Sequence, residues 1–310
     1  MAEHVVITGG FGCIGAWAAA LLADEGAQVT IADLSEDDHR LQLVAGAETR
    51  SNINVVKADL TSADEVTAAL ADATHVIHLG ALQVPFCRAN PRAGAAVNVG
   101  GTINVFEAAL ANGIEHVVYA SSVAVYGPMA DPTARIDDHT PFDPRSLYGG
   151  YKVANEHAAR VYGAELGLPT IGLRPHTLYG PGRDQGLTSQ PTQAIRAALA
   201  GERYQIEYGG SMGFQYAPDV ARWFIAAVRA EPEGASVYNL GGSTASVADF
   251  VANIGKVVPA AAELISHGTD PLDFPIGADD SSLRARLGDL AEMPLVDGIA
   301  DTVRVLTSAS

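Results

Sequence analysis

His4-Val5-Val6-Ile7-Thr8-Gly9-Gly10-Phe11-Gly12-Cys13-Ile14-Gly15 is the stretch on which the fold turns. A short run of β-formers ends in a glycine turn, after which Ile14, Trp17, Ala18, Leu21 and Leu22 recur at helical spacing. Strand, glycine turn and helix in this order let backbone N–H groups and a helix N-terminus approach a pyrophosphate, which any side chain larger than hydrogen would block. Gln28-Val29-Thr30-Ile31-Ala32-Asp33 then supplies a second strand ending in an acid, where a carboxylate can accept hydrogen bonds from an adenosine ribose. Glycines that merely turn the chain and an Asp33 that merely caps the next helix are the plainer alternative. The pairing of the two signals favours a dinucleotide. Asp33 repels a 2′-phosphate and Leu34-Ser35 bring no arginine to hold one, so NAD is expected rather than NADP. His39 and Arg40 lie close enough in sequence to fold back toward such a phosphate.

Further strand-like runs recur at 55–58, 76–79, 117–120 and 170–173, separated by helical patterns. Alternation of this kind predicts right-handed crossovers and a doubly wound α/β fold, a parallel sheet covered by helices on both faces. Ser62-Ala63-Asp64-Glu65 reads as a capping box that starts one of those helices. After Leu173 the rhythm breaks at Gly180-Pro181-Gly182. A helix is expected near 192–199, a strand at 237–240 and a helix over 246–258, followed by segments punctuated by Pro259, Pro271, Pro275 and Pro294. The pattern divides the chain into a dinucleotide-binding domain, 1–173 plus about 212–241, and a smaller interleaved substrate domain, about 174–211 plus 242–310.

With 310 residues, 48% of them hydrophobic, the chain can bury a full core. It shows no apolar run long enough to cross a bilayer and no basic segment leading into a signal-type run, so no membrane partner and a cytoplasmic location are expected. Two cysteines, Cys13 and Cys87, are too few for a disulfide framework. A formal charge of -17 without a lysine–arginine cluster argues against nucleic acid. The same charge means that an acid or phosphate ligand would depend on single arginines, of which Arg88, Arg174 and Arg183 are candidates. The nine histidines show no ligand spacing, so no metal is expected.

Chemistry is concentrated in Ser121-Ser122 and Tyr148-Gly149-Gly150-Tyr151-Lys152. Positions i and i+4 share a helix face, so the Lys152 ammonium can favour the Tyr148 phenolate. A tyrosine poised in this way can take the proton from a substrate hydroxyl while hydride leaves the same carbon for a nicotinamide. Taken singly, Ser122 could end a strand by bonding its own backbone, Tyr148 could be a buried aromatic and Lys152 a solvated charge; the three together favour catalysis.

The glycine turn, Ser122, Tyr148, Lys152 and the segment from Arg174 to Pro181 resemble the extended short-chain dehydrogenase/reductase family, the NAD-dependent epimerase/dehydratase group, over nearly the whole chain. Asp59-Leu60, Leu79-Gly80-Ala81, Asn98 with Gly101-Thr102, and Ser121 to Gly127 carry the likeness further. The resemblance implies a Rossmann sheet whose cofactor residues are Gly9, Gly12, Cys13, Ile14, Gly15, Asp33, Leu79, Gly80, Ala81, Asn98 and Pro175, with Asp59 and Leu60 at the adenine. It also implies that Ser122 orients the hydroxyl, Tyr148 is the base and Lys152 binds the nicotinamide ribose. A homodimer built on 98–111 and 148–165 is implied as well. Tyr151 stands where relatives have a small residue, either packing on a neighbouring helix or narrowing the site, and Glu156 is expected to be structural.

Two departures narrow the activity. Thr177 and Met212 stand where nucleotide-sugar enzymes of the family usually have the asparagine and arginine that grip a diphosphate, a contact methionine cannot imitate. Arg183 or Arg203 could take over that contact from a shifted loop. The simpler reading is a smaller substrate, a free sugar, sugar acid, lactone or polyol-like alcohol, with Gln83, Arg88, Ser122, His176, Arg183 and Gln185 available to bind it. Val123-Ala124 lack the adjacent acids of 4,6-dehydratases, which argues against dehydration. An NAD-dependent dehydrogenase leads; an epimerase that keeps NADH bound and returns hydride to the other face is the rival. A protein that only binds NAD is the remote third reading.

Overall fold

In a computed structural model, residues 3–308 are described except 130, 132 and 290. Seven strands form the central sheet: β1 (His4–Thr8), β2 (Gln28–Asp33), β3 (Ile53–Lys57), β4 (His75–His78), β5 (Val117–Ala120), β6 (Thr170–Arg174) and, much later in the chain, β10 (Ala235–Asn239). Their order is β10-β6-β5-β4-β1-β2-β3 and every pairing is parallel, so the expected doubly wound sheet is what the chain forms. β1 is buried along its whole length, as a parallel strand covered on both faces must be. Burying each Val or Ile of that strand contributes roughly 1.5–3 kcal/mol. Strand order reverses between β1 and β4, and the crevice for a ligand opens there beyond the strand ends. Gly9 and Gly80 meet across this point: a Cβ on Gly9 would lie 2.6 Å from the Gly80 Cα, and Gly9 itself has a φ of 68°.

The rest of the chain builds small sheets. β7 (Thr177–Tyr179), β9 (Ser211–Tyr216) and β11 (Ser243–Ser246) form one, and β8 (Tyr204–Ile206) pairs with β12 (Ile265–His267) in another. They surround a second core containing Tyr179, Phe214, Phe250 and Ile299. The helix Ala217–Val228 instead packs on the first core, through Val220, Trp223 and Phe224.

Local signals behave unevenly. Ser62 accepts from the Glu65 N–H at 3.4 Å, but the Glu65 carboxylate turns to the Asp59 N–H at 2.9 Å, so the capping box expected there is only half made. A complete box closes at Ser246 and Asp249 instead. Among the described residues no helix is long and apolar enough to cross a membrane.

Candidate active site

The helix Cys13–Asp24 begins without a side-chain cap, because its N-cap is Gly12. Gly12 to Gly15 therefore present the first turn to a cavity of about 700 Å³ that runs from the glycine turn to Ser122 and Tyr148. Gly15 has no room for a side chain: a Cβ would sit 2.6 Å from the Gly9 carbonyl oxygen. Asp33 accepts from the N–H groups of Phe11 at 3.1 Å and Ser35 at 3.0 Å, which pins its carboxylate at the cavity wall. Asp59, Leu60, Leu79, Gly80, Ala81 and Pro175 line the same cavity. The cradle fits a dinucleotide.

His39 and Arg40 do not wait for a 2′-phosphate. Arg40 donates to Asp184 Oδ1 from Nε at 2.9 Å and Nη2 at 2.6 Å, and His39 Nε2 lies 2.7 Å from Asp184 Oδ2. The segment carrying Asp184 is also held where Trp17 Nε1 donates to the Pro181 carbonyl at 2.9 Å. Arg183 and residues 185–188 of this segment line the cavity, so it forms a strap along the cavity wall.

Ser122 caps the short turn Val123–Val125 by accepting from the Ala124 N–H at 3.1 Å. This is the backbone role the sequence allows, and it leaves the hydroxyl proton free to point elsewhere. The helix Leu147–Leu166 starts at Ser146, which accepts from the Gly149 N–H at 3.1 Å. Gly149 lets this helix press on the loop after Ser122: a Cβ there would collide with the Ala124 carbonyl oxygen. Tyr148 and Ser122 are thereby brought together. Lys152, one turn on, is 3% exposed, donates from Nζ to the Ala120 carbonyl at 2.6 Å, and lies 5.6 Å from the Tyr148 ring centre.

Burial pushes the Tyr148 phenol above its ordinary pKa, while the Ser122 hydroxyl and the Arg183 charge pull it down; Lys152 is not among these influences. Lys152 is itself pushed down to about 8 by burial. Desolvation thus acts on both members of the pair, raising the phenol and lowering the ammonium.

Not every residue read from the sequence reaches the cavity. Gln83, His176, Arg183 and Gln185 line it, but Arg88 is exposed on the helix Val84–Ala89 and does not. Arg174 is consumed by Glu156, which accepts from its Nε at 2.9 Å and Nη2 at 2.7 Å. His176 spends Nε2 on the Pro275 carbonyl at 2.7 Å and is kept neutral by burial, with its pKa near 4, so it fastens the 274–275 loop. Asn98 stands in a turn of π-helix and does not line the cavity. Its amide accepts from Leu82 N–H at 2.7 Å and donates to Leu82 C=O at 2.9 Å, shaping the loop after β4 that does line it. Tyr151 donates to the Pro91 carbonyl at 2.9 Å, so it packs on the neighbouring helix and does not narrow the site. Cys13 and Cys87 are free thiols, and burial raises Cys13 to about 11.

Sequence reasoning missed the strap. Its only linear trace is Arg40 and Asp184, 144 positions apart. It also missed Asn155, whose amide donates to the Asn98 carbonyl at 2.8 Å and to the Thr102 hydroxyl at 3.0 Å, tying the tyrosine helix to the π-helical turn.

A glycine cradle, an acid at the end of β2 and a Ser-Tyr-Lys cluster in one cavity define a nicotinamide-dependent oxidoreductase site. The comparisons agree. Residues 5–241 match the NAD dependent epimerase/dehydratase family, and the chain belongs to that family, whose cofactor is NAD. It is 32% identical to a UDP-glucose 4-epimerase of Mycolicibacterium smegmatis, over 99% of both chains. It is 30% identical to a dTDP-L-rhamnose 4-epimerase of Burkholderia thailandensis, covering 80% of this chain and 79% of that one. Among solved structures, MoeE5 in complex with UDP-glucuronic acid and NAD superposes with a TM-score of 0.83 at 26% identity, over 99% of this chain and 100% of that one. The UDP-glucose 4-epimerase of Thermus thermophilus in complex with NAD shares the fold, with a TM-score of 0.85 at 24% identity, over 99% of this chain and 100% of that one.

Proposed function

We propose that this chain is an NAD-dependent dehydrogenase that oxidises a secondary hydroxyl of a small sugar, sugar acid or polyol-like alcohol. The observation that carries the reading is the poverty of cations at the substrate end. Met212 is 2% exposed inside the second core, and Thr177 is 1% exposed in β7. Arg203 is exposed and outside the cavity. Of the arginines that line the cavity, Arg40 and Arg145 are paired with Asp184 and Asp143, which among the described residues leaves Arg183 without a carboxylate partner, so a diphosphate lacks the paired grip that a nucleotide sugar needs.

In this reading Ser122 donates to and orients the substrate oxygen, and Tyr148 takes its proton. The carbon gives up a hydride, two electrons with one proton, and NAD supplies the acceptor. Lys152 holds the ribose of that acceptor. The proton passes from Tyr148 to solvent, so alcohol and NAD give ketone, NADH and one proton. Residues 1–173 with about 217–241 hold the cofactor in this proposal, and about 174–216 with 242–310 binds the substrate; β9, expected in the first of these, packs in the second core. A homodimer through the helices near 98–111 and 148–165 is part of the proposal; Val161 is 48% exposed on the second of these, and mass measurement in solution tests it.

Replacing Tyr148 by Phe is expected to leave NAD affinity within about twofold and to lower turnover roughly 100- to 10,000-fold, the span of general-base removal. Unchanged turnover would end the proposal. The fastening of the strap by Arg40 and His39 beside the cavity favours a second reading, an epimerase that keeps its dinucleotide through the cycle. The two are separated by denaturing the purified protein, identifying released dinucleotide, and screening sugars and sugar acids: NADH accumulation supports the dehydrogenase, isomer with retained NAD the epimerase.

A further inference from the structure

Four cationic side chains line the cavity: Arg40, Arg145, Lys152 and Arg183. Arg40 is neutralised by Asp184 at 2.6 Å and Arg145 by Asp143 at 2.5 Å. Lys152 is spent on the Ala120 carbonyl. Of the three cavity arginines, Arg183 alone has no carboxylate within ion-pair distance among the described residues. Its Nη2 donates to the Thr188 hydroxyl at 2.9 Å, and its Nε is shut off from water with no partner. Asp273 lines the cavity too, but it is exposed and makes no ion pair with Arg183. A guanidinium half withdrawn from water and left without a counter-charge is costly unless an anion completes it.

The side chain is also held in place. Arg183 N–H donates to the Gly180 carbonyl at 3.1 Å, and its neighbours Pro181 and Asp184 are fastened by Trp17 and by Arg40. Gly186, with a φ of 90°, brings the strap onto Gln83: a Cβ there would collide with Gln83 Oε1 and lie 3.5 Å from Arg183 Nη2. Gln83 amide, Thr188 hydroxyl and Arg183 guanidinium therefore converge in the cavity, where the Arg183 charge also acts on the Cys13 thiol of the glycine turn. The Arg183 charge also reaches the Tyr148 phenol.

We propose that Arg183, with Thr188 and Gln83, is an anion site that holds a carboxylate of the substrate while the reacting hydroxyl lies at Ser122 and Tyr148. The inference rests on the dehydrogenase reading above and narrows its substrate to hydroxy acids of the sugar type. A planar guanidinium matches a carboxylate edge to edge. One such fork with one hydroxyl suits a single charge better than a diphosphate, which would also approach Asp273.

The test uses carboxylate and neutral partners, gluconate with glucitol and glucuronate with glucose, together with a UDP-sugar. Binding is measured to the NADH complex of the Tyr148→Phe protein, so that it is read without turnover. In that background at least one carboxylate compound is expected to bind, and Arg183→Gln to weaken it on the order of 10- to 100-fold. Arg183→Lys is expected to recover part of the loss, and NADH affinity to stay within about twofold. Three outcomes overturn the proposal: no carboxylate compound binds, the neutral partner or UDP-sugar binds better, or NADH affinity falls as far as that of the acid, which would give Arg183 to the cofactor pyrophosphate. Failure of the protein with Tyr148 intact to form NADH from an acid that binds in an Arg183-dependent way would instead overturn the dehydrogenase reading alone.

Discussion

Glu156→Gln is expected to lower folding stability by about 3 kcal/mol, although the side chain touches no part of the cavity. Glu156 and Arg174 side chains are 1% and 3% exposed, joined by two charge-assisted bonds, and the Ser121 hydroxyl donates to the same carboxylate. Removing one partner of such a buried pair costs about 3–5 kcal/mol, because the other charge stays behind in a poor solvent. Glutamine keeps an acceptor oxygen, and Asp138 remains 3.9 Å from Arg174, so the lower end of the range applies. Glu156→Leu loses both contacts and should approach the upper end. Adding Arg174→Met to Glu156→Leu removes the stranded charge and is expected to recover much of the loss, a coupling of roughly 2 kcal/mol within the range seen for contacting residues. Urea unfolding of wild type, both single variants and the double variant measures it, with the slope checked for constancy. A Glu156→Gln protein within about 0.5 kcal/mol of wild type, or singles that simply add, would refute the account. Because Ser121 precedes Ser122 and Glu156 follows Lys152 by one helical turn, turnover should fall in step with stability.

Three more outcomes follow from the cavity. Asp33→Ser removes the charge facing a 2′-phosphate and should lower the NAD-over-NADP preference in kcat/KM at least about tenfold, a difference of roughly 1.4 kcal/mol; an unchanged ratio would place discrimination elsewhere. Asp184→Asn breaks the half-buried ties to Arg40 and His39, worth about 1–2 kcal/mol, and should speed dinucleotide release roughly 5- to 30-fold in stopped-flow displacement. An unaltered release rate would mean that the strap does not retain the cofactor. Lys152 has a folded pKa near 8, below the ~10.4 of an unfolded chain. The folded protein thus binds fewer protons between these values, and the burial penalty, full below about 8, is relieved as pH rises through that window. NAD affinity should move the opposite way, weakening up to about tenfold per unit above pH ~8 as the ammonium is lost. Calorimetric titration from pH 7 to 9.5 reads this, and a slope that persists in Lys152→Arg would sink it.

The first half of the fold was legible because each signal was local. β1 is a five-residue apolar run, Gly9 to Gly15 sit next to it in sequence, and Asp33 ends the next strand, so nothing beyond neighbouring residues was needed. Tyr148 and Lys152 were legible for the same reason, a single helical turn. What escaped depends on distant partners. β9 pairs with β7 and β11, separate stretches of chain that begin at Thr177 and Ser243, and its Ser-Met-Gly-Phe-Gln-Tyr has no alternation to betray a strand. Glu65 reads as a capping residue until the Asp59 N–H competes for it. Arg88 and Arg174 looked as suitable as Arg183 for an anion, since charge is a property of the residue and exposure or pairing is a property of the fold.

That last distinction bears on the chemistry. A chain with a formal charge of -17 sets a field that repels acidic ligands, and pairing Arg40 and Arg145 with Asp184 and Asp143 removes two of the cavity's four cations from the balance. What remains is Lys152 beside the reacting tyrosine and Arg183 beyond it. The first keeps its proton at neutral pH but loses it through about pH 8, so the ammonium persists to higher pH only when something nearby favours the charged form. An anionic ligand at Arg183 would do this through the low-dielectric cavity, where charge interactions are stronger than in water. It would also raise the Tyr148 pKa, which Arg183 now holds down. Both effects move a pKa upward, Lys152 because its charged form is favoured and Tyr148 because its charged form is disfavoured, so an acid substrate would shift the pH optimum upward relative to a neutral analogue. A neutral analogue with the same optimum would mean that Arg183 and Tyr148 do not sense one ligand.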